Sequence, residues 1–163
     1  MKFTILSVLF ASLALTLSAQ AEATIKLTGV HNCCGKCEKG IQAAVTKVEG
    51  ASVVAEKDVV TITAKDEATA KKAEASLIAG GYAGKESVVP TVADAKVKSA
   101  TVSGVHLCCG KCVTAVEKAV KSVAGATSHT ATKGAESFKV EGDFSKAALS
   151  SALQKNGLSG AIN

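Results

Sequence analysis

The chain has 163 residues and a formal net charge of +5, carried entirely by lysine because arginine is absent. Lysines interspersed with Glu and Asp, without arginine forks or stacking aromatics, describe a solvated surface and argue against nucleic-acid binding; a weak attraction to anionic partners is what the charge leaves open. No nucleophile and base stand in a recognisable motif and no glycine loop cradles a phosphate, so nothing supports hydrolytic or phosphoryl-transfer chemistry, and the chain reads as a non-enzymatic protein.

The first residues have the layout of an export signal. Met1-Lys2 precede an apolar run from Phe3 to Leu17, and Ala19-Gln20-Ala21 follows as a small-x-small cleavage site, with Ala21-Glu22-Ala23 as an alternative cut. The run is short for a bilayer span and no positive stop-transfer flank follows, so residues 1–21 are expected to be removed. The expectation is an exported protein, periplasmic or secreted, without a membrane span after signal removal.

Ile25, Leu27 and Gly29 alternate with Thr24, Lys26 and Thr28, which predicts a half-buried strand. A cysteine loop follows, and from Cys37 the apolar positions Ile41, Ala44, Val45 and Val48 recur at helical spacing up to a stop at Gly50. Ser52–Ala55 and the alternating Val60, Ile62 and Ala64 predict two strands turning near Lys57-Asp58. Asp66 is placed to cap a second helix with a stripe of Ala70, Ala73, Leu77 and Ile78, ending at Gly80-Gly81, and a short strand is expected around Glu86–Val89. The order is strand, helix, strand, strand, helix, strand.

That plan then recurs. Ala100 and Val102 open a second unit whose first helix carries Cys112, Val116, Ala119, Val120 and Val123; Phe138 and Val140 mark its third strand, and the turn over Ser128–Glu136 is longer than its counterpart. Asp143 is expected to cap its second helix, lined by Leu149, Ala152 and Leu153. The segment from Val88 to Ser99 holds the only proline, Pro90, and reads as a linker. The organisation expected is a signal peptide (1–21), one unit over 22–89, a linker over 90–98 and a second unit over 99–163, each unit small enough for only marginal stability alone.

The repeat is most specific in its loops. Gly29-Val30-His31-Asn32-Cys33-Cys34-Gly35-Lys36-Cys37 returns as Gly104-Val105-His106-Leu107-Cys108-Cys109-Gly110-Lys111-Cys112, differing only at Asn32 and Leu107, and the two copies hold all six cysteines. Thiols gathered in threes beside a histidine point to a soft-metal or redox site rather than to scattered disulfides.

The element order, with a cysteine loop between first strand and first helix, resembles the heavy-metal-associated domain family. Cys34-Gly35-Lys36-Cys37 and Cys109-Gly110-Lys111-Cys112 fall at the Cys-x-x-Cys of that family's Gly-Met-x-Cys-x-x-Cys pattern. Val48-Glu49-Gly50 and Val123-Ala124-Gly125 are similar to its helix-ending segment, and Gly81-Tyr82 to the Gly-Tyr near the metal loop in many bacterial members. The resemblance implies an α+β fold of two ferredoxin-like βαββαβ domains in tandem, and a bound Cu(I), or in some members Zn(II), Cd(II) or Hg(II). The chain departs from the pattern: an extra cysteine, Cys33 or Cys108, precedes each pair, the methionine is missing, and Leu158 stands where the first unit has Tyr82.

Thiolates at the start of a helix meet the positive end of its dipole, so Cys37 and Cys112, which open their helices, are expected to have lowered pKa values, with Cys34 and Cys109 bringing a second sulfur from the loop. Gly35 and Gly110 are read as allowing the loop to bend. Cys33 and Cys108 have two readings, a third thiolate or a small loop residue pointing away. His31 and His106 likewise are either nitrogen ligands suited to Zn(II) or packing residues at a strand end, and Lys36 and Lys111 either offset the charge of a metal bis-thiolate or are solvated. The candidate metal residues are therefore Cys34, Cys37, Cys109, Cys112, Cys33, Cys108, His31 and His106. The function expected is sequestration or relay of a soft ion, foremost Cu(I), with one site per unit and a metal-transporting or metal-receiving protein as partner. A thiol-disulfide protein, or a partner-binding module with structural disulfides, is the alternative.

Overall fold

The computed structural model describes residues 21–163; the expected signal peptide lies, but for Ala21, outside them. Eleven elements follow in order: β1 (Ala23–Leu27), α1 (Gly35–Val45), β2 (Ala51–Glu56), β3 (Val59–Ala64), α2 (Glu67–Ala79), β4 (Lys96–Ser103), α3 (Gly110–Lys121), β5 (Ala126–His129), β6 (Ser137–Ser145), α4 (Lys146–Lys155) and β7 (Ala161–Ile162). The fold is α+β, with two antiparallel sheets and four helices. None of the described helices is long and apolar enough to cross a membrane.

The first sheet has the strand order β1-β3-β2 and the second β5-β6-β4-β7. Register follows the apolar alternation: Ile25 lies opposite Ile62 and Leu27 opposite Val60, while Ala100 faces Val140 and Val102 faces Phe138. These cross-strand pairs put their apolar side chains on the face the helices cover. Cys37, Ile41, Ala44 and Val45 are the buried positions of α1, and Cys112, Ala115, Val116, Ala119 and Val120 those of α3. The buried apolar residues of both halves join into one contiguous core running from Leu27 to Leu158. Sharing a core relieves the marginal stability that either half of this size has alone.

Asp66 caps α2 as expected, its carboxylate accepting the Thr69 N–H. The corresponding expectation for Asp143 is corrected: Asp143 lies within β6, and Ser145 caps α4 by accepting the Ala148 N–H. Both residues are capable caps, but β6 stays paired with β4 as far as Ser145 opposite Lys96, so the helix begins only after Ser145. The strand expected around Glu86–Val89 is also absent. One backbone bond, Lys85 N–H to Thr28 O, is followed by the Glu86 carboxylate, which accepts from both the N–H and the hydroxyl of Thr28. A side chain thus satisfies the edge of β1 where a strand would otherwise lie. β4 starts at Lys96, inside the segment read as a linker.

The halves meet at equivalent turns. After α2, Gly81-Tyr82 runs against the loop at Gly104–His106; after α4, Gly157-Leu158 runs against Gly29–His31. Tyr82 and Leu158 pair across the junction as an antiparallel bridge, and both are buried. The His31 N–H donates to Gly157 O at 3.0 Å and the Ser159 N–H to Gly81 O at 3.1 Å. Gly81 (φ +90°) and Gly157 (φ +78°) are in the left-handed region, and a Cβ at either would strike backbone of the opposite loop. Each half's second helix therefore ends on the other half's cysteine loop.

Candidate metal centre

The loops bring all six sulfurs into a single cluster. Cys34 lies 3.8 Å from Cys37 and Cys109 3.7 Å from Cys112, so each Cys-x-x-Cys closes as a clamp. The extra cysteines cross the junction. Cys108 Sγ is 3.7 Å from Cys34 and 3.5 Å from Cys37, and Cys33 Sγ is 3.4 Å from Cys109 and 3.9 Å from Cys112. Each clamp is completed to a triangle by the first cysteine of the other half. Cys33 also lies 3.6 Å from Cys37 and Cys108 3.7 Å from Cys112, which joins the two triangles.

Metal–thiolate bonds of about 2.3 Å set sulfurs roughly 3.8 Å apart in a tetrahedral site and 4.0 Å in a trigonal one. The observed separations of 3.4 to 3.9 Å are close to this spacing. No disulfide is formed among the six.

The histidines stand at the cluster's flanks. His31 shares a ligand-sized group with Cys33 and Cys112, and His106 with Cys37 and Cys108, the ligand atoms of each group lying within 4.8 Å of one another. The Nε2 atoms of both rings are buried without a hydrogen-bond partner, the only such side-chain nitrogen or oxygen atoms among the described residues. Burial lowers the pKa of both imidazoles, and for His31 the neighbouring His106 adds to it, so the rings are neutral and able to donate a lone pair. Unpartnered buried nitrogens beside thiols leave both rings able to serve as metal ligands.

Tyr82 is both a core residue and a cover over the cluster's flank. Its ring is buried, stands 4.8 Å from that of His106, and its hydroxyl donates to the carbonyl oxygen of Cys37. Lys111 and Lys118 line, with His31, Cys33 and Thr114, a shallow cavity of about 350 Å³ that reaches the cluster from outside.

The electrostatics differ from the expected pattern. Cys34 and Cys109 are the N-cap residues of α1 and α3, and it is their pKa values that are lowered, Cys109 to about 6. The N–H groups of Cys37 and Lys36 face the Cys34 sulfur, and those of Cys112 and Lys111 that of Cys109. Neither sulfur closes a cap hydrogen bond of standard geometry, so the effect is that of oriented N–H dipoles. Cys112, expected to be lowered by its place in the helix, is instead raised, because burial outweighs the dipole once the sulfur turns into the core. Burial and neighbouring thiols push Cys33 and Cys108 far up. The bend allowance assigned to Gly35 and Gly110 is unnecessary: neither has positive φ, and a Cβ on either meets nothing within 4 Å.

The apo protein is therefore expected to react in a fixed order. A short iodoacetamide pulse near neutral pH, read by peptide mass spectrometry, should label Cys109 and Cys34 first and the other four later, Cys37 and Cys112 being fully buried and Cys33 and Cys108 held protonated. Labelling of Cys109 should fall only as pH drops through about 6, where its thiolate takes up a proton. Uniform labelling of all six would contradict this electrostatic arrangement.

Comparison with protein families and with curated proteins finds no match. Among solved structures, the N-terminal soluble domains of CopA from Bacillus subtilis are similar at 16% identity, covering 88% of this chain and 95% of that one, with a TM-score of 0.32. At that score the likeness bears on neither fold nor function.

Proposed function

We propose that this chain is an exported, non-enzymatic protein that binds soft metal ions, foremost Cu(I), and sequesters or relays them as a tandem pair of ferredoxin-like heavy-metal-associated domains. The observation that carries this reading is the convergence of six unbonded cysteine sulfurs at 3.4 to 3.9 Å contacts. Soft thiolates select Cu(I) and related ions, and a site of sulfur triangles is under-coordinated for closed tetrahedral structural zinc. The two histidines supply nitrogen where Zn(II) is bound instead. Cys34 is exposed and Cys109 half-buried, whereas Cys37 and Cys112 lie in the core. An ion arrives at the outer pair as thiolates and is drawn to the inner pair, and a partner's thiolates remove it by the same face. The leader at residues 1–21 supports export.

Metal analysis of the protein isolated anaerobically, without added reductant, from the culture medium or periplasm of cells that make it tests metal and compartment together. Copper-bearing protein lacking the leader is the expected result. Metal-free protein with its cysteines paired in disulfides would favour the thiol-disulfide reading.

A further inference from the structure

The two halves do not present separate ligand sets. Each Cys-x-x-Cys clamp takes its third sulfur from the opposite half, and the Cys33–Cys37 and Cys108–Cys112 contacts, at 3.6 and 3.7 Å, link one triangle to the other. Cys33, Cys37, Cys108 and Cys112 each touch three other sulfurs. An ion seated in one triangle therefore shares its sulfurs with the neighbouring positions.

We propose that the six sulfurs form a single polynuclear Cu(I)–thiolate site, in which cysteines of both halves bridge adjacent ions, rather than two independent mononuclear sites. The inference rests on the soft-metal reading above and deepens it. Bridging follows from charge as well as geometry. Six thiolates confined at these separations repel one another strongly, and a sulfur that bridges two cations meets more neutralising charge than one that binds a single cation. If each thiolate bridges two ions and each Cu(I) takes three sulfurs, six thiolates hold about four ions. Each sulfur that is a protonated thiol in the apo protein releases one proton when it binds, and the four-ion cluster of six thiolates retains a charge of about −2. Lys111 and Lys118 lie beside Cys33 at the outer cavity, suitably placed to offset part of that charge.

The sharing also predicts how the site fills. The first ions deprotonate and fix bridging sulfurs for those that follow, so later ions bind more readily than the first. The junction that creates this coupling is the same one at which the glycine turns 81–82 and 157–158 close on the opposite loops.

The test uses the full mature chain, reduced and anaerobic, with Cu(I) added stepwise as its acetonitrile complex. Native mass spectrometry reads stoichiometry, and copper X-ray absorption reads the neighbours of each ion. The expected result is a mixture dominated by the metal-free and roughly four-copper forms, with a copper–copper scattering shell. The Cys33→Ser variant should lose that shell and bind fewer ions, with circular dichroism of the apo variant reporting its fold. Saturation at two ions, filled independently and with sulfur as the only close neighbour, would overturn the shared cluster while leaving soft-metal binding intact. Failure to bind any Cu(I) would overturn both.

Discussion

Replacing Cys37 by serine is expected to lower Cu(I) affinity by at least about 100-fold, and to do so for ions held by sulfurs of both halves. Loss of an outer-shell partner already costs roughly 10- to 100-fold in metal affinity, and Cys37 is placed to be a direct ligand. Its sulfur touches Cys33, Cys34 and Cys108, so its removal opens one triangle and cuts a link to the other. Cys33→Ser should cost as much within a few-fold, because Cys33 makes the equivalent set of contacts to Cys37, Cys109 and Cys112. This reverses the simplest expectation from sequence, in which the extra cysteine is an accessory and each unit keeps its own site. Competition against a Cu(I) chelator, run on both variants and the parent, decides the matter: a mild effect of Cys33→Ser beside a severe one of Cys37→Ser would restore the accessory role. Cys37 is also fully buried, so its serine hydroxyl risks a desolvation cost of roughly 1–3 kcal/mol, and thermal melts of the apo proteins separate that cost from the metal effect.

Gly157→Ala should be among the most damaging substitutions outside the cysteines. A non-glycine residue at its φ of +78° costs about 1–2 kcal/mol, and the added Cβ would strike the His31 N–H and the Gly29 carbonyl, a backbone clash worth roughly a further 1–3 kcal/mol. The same change removes room for the His31 N–H···O Gly157 bond. Together these lower Tm by about 5–15 °C. Gly134 is the control: its φ is +83° but a Cβ there meets nothing within 4 Å, so Gly134→Ala pays only the conformational cost. Equal melting shifts for the two variants would show that the loop-to-helix junction contributes little to stability.

Much of this architecture is local and was legible in the residues. The alternation at Ile25 and Leu27, the helical stripe from Cys37 to Val45, the Asp66 cap and the strands around Val53 and Ile62 each depend on neighbours a few positions apart. The Cys-x-x-Cys clamps were legible for the same reason. The errors have tertiary causes. Asp143 and Ser145 have nearly equal capping chemistry, and pairing with β4 selects the second. The Glu86 side chain replaces a strand whose apolar alternation is weak. The N-cap sulfurs of Cys34 and Cys109 receive the dipole, whereas the Cys112 sulfur turns into the core, where burial outweighs it.

The crossing of Cys33 and Cys108 to the opposite clamps was not legible in the cysteine loops themselves. Nothing within nine residues of loop specifies what lies across a junction made by turns far away in sequence. One signal pointed there: Gly-Tyr and Gly-Leu occupy matching places after the second helices, and a buried aromatic opposite a buried leucine is what a pair of packed turns requires.

The most direct test of the central claim is an anaerobic competition titration of the reduced protein with Cu(I) against a chelator, repeated with all six cysteines replaced by serine. Tight binding that vanishes in the cysteine-free chain is the predicted result. Weak binding by the parent, or binding that survives the loss of every sulfur, would contradict it.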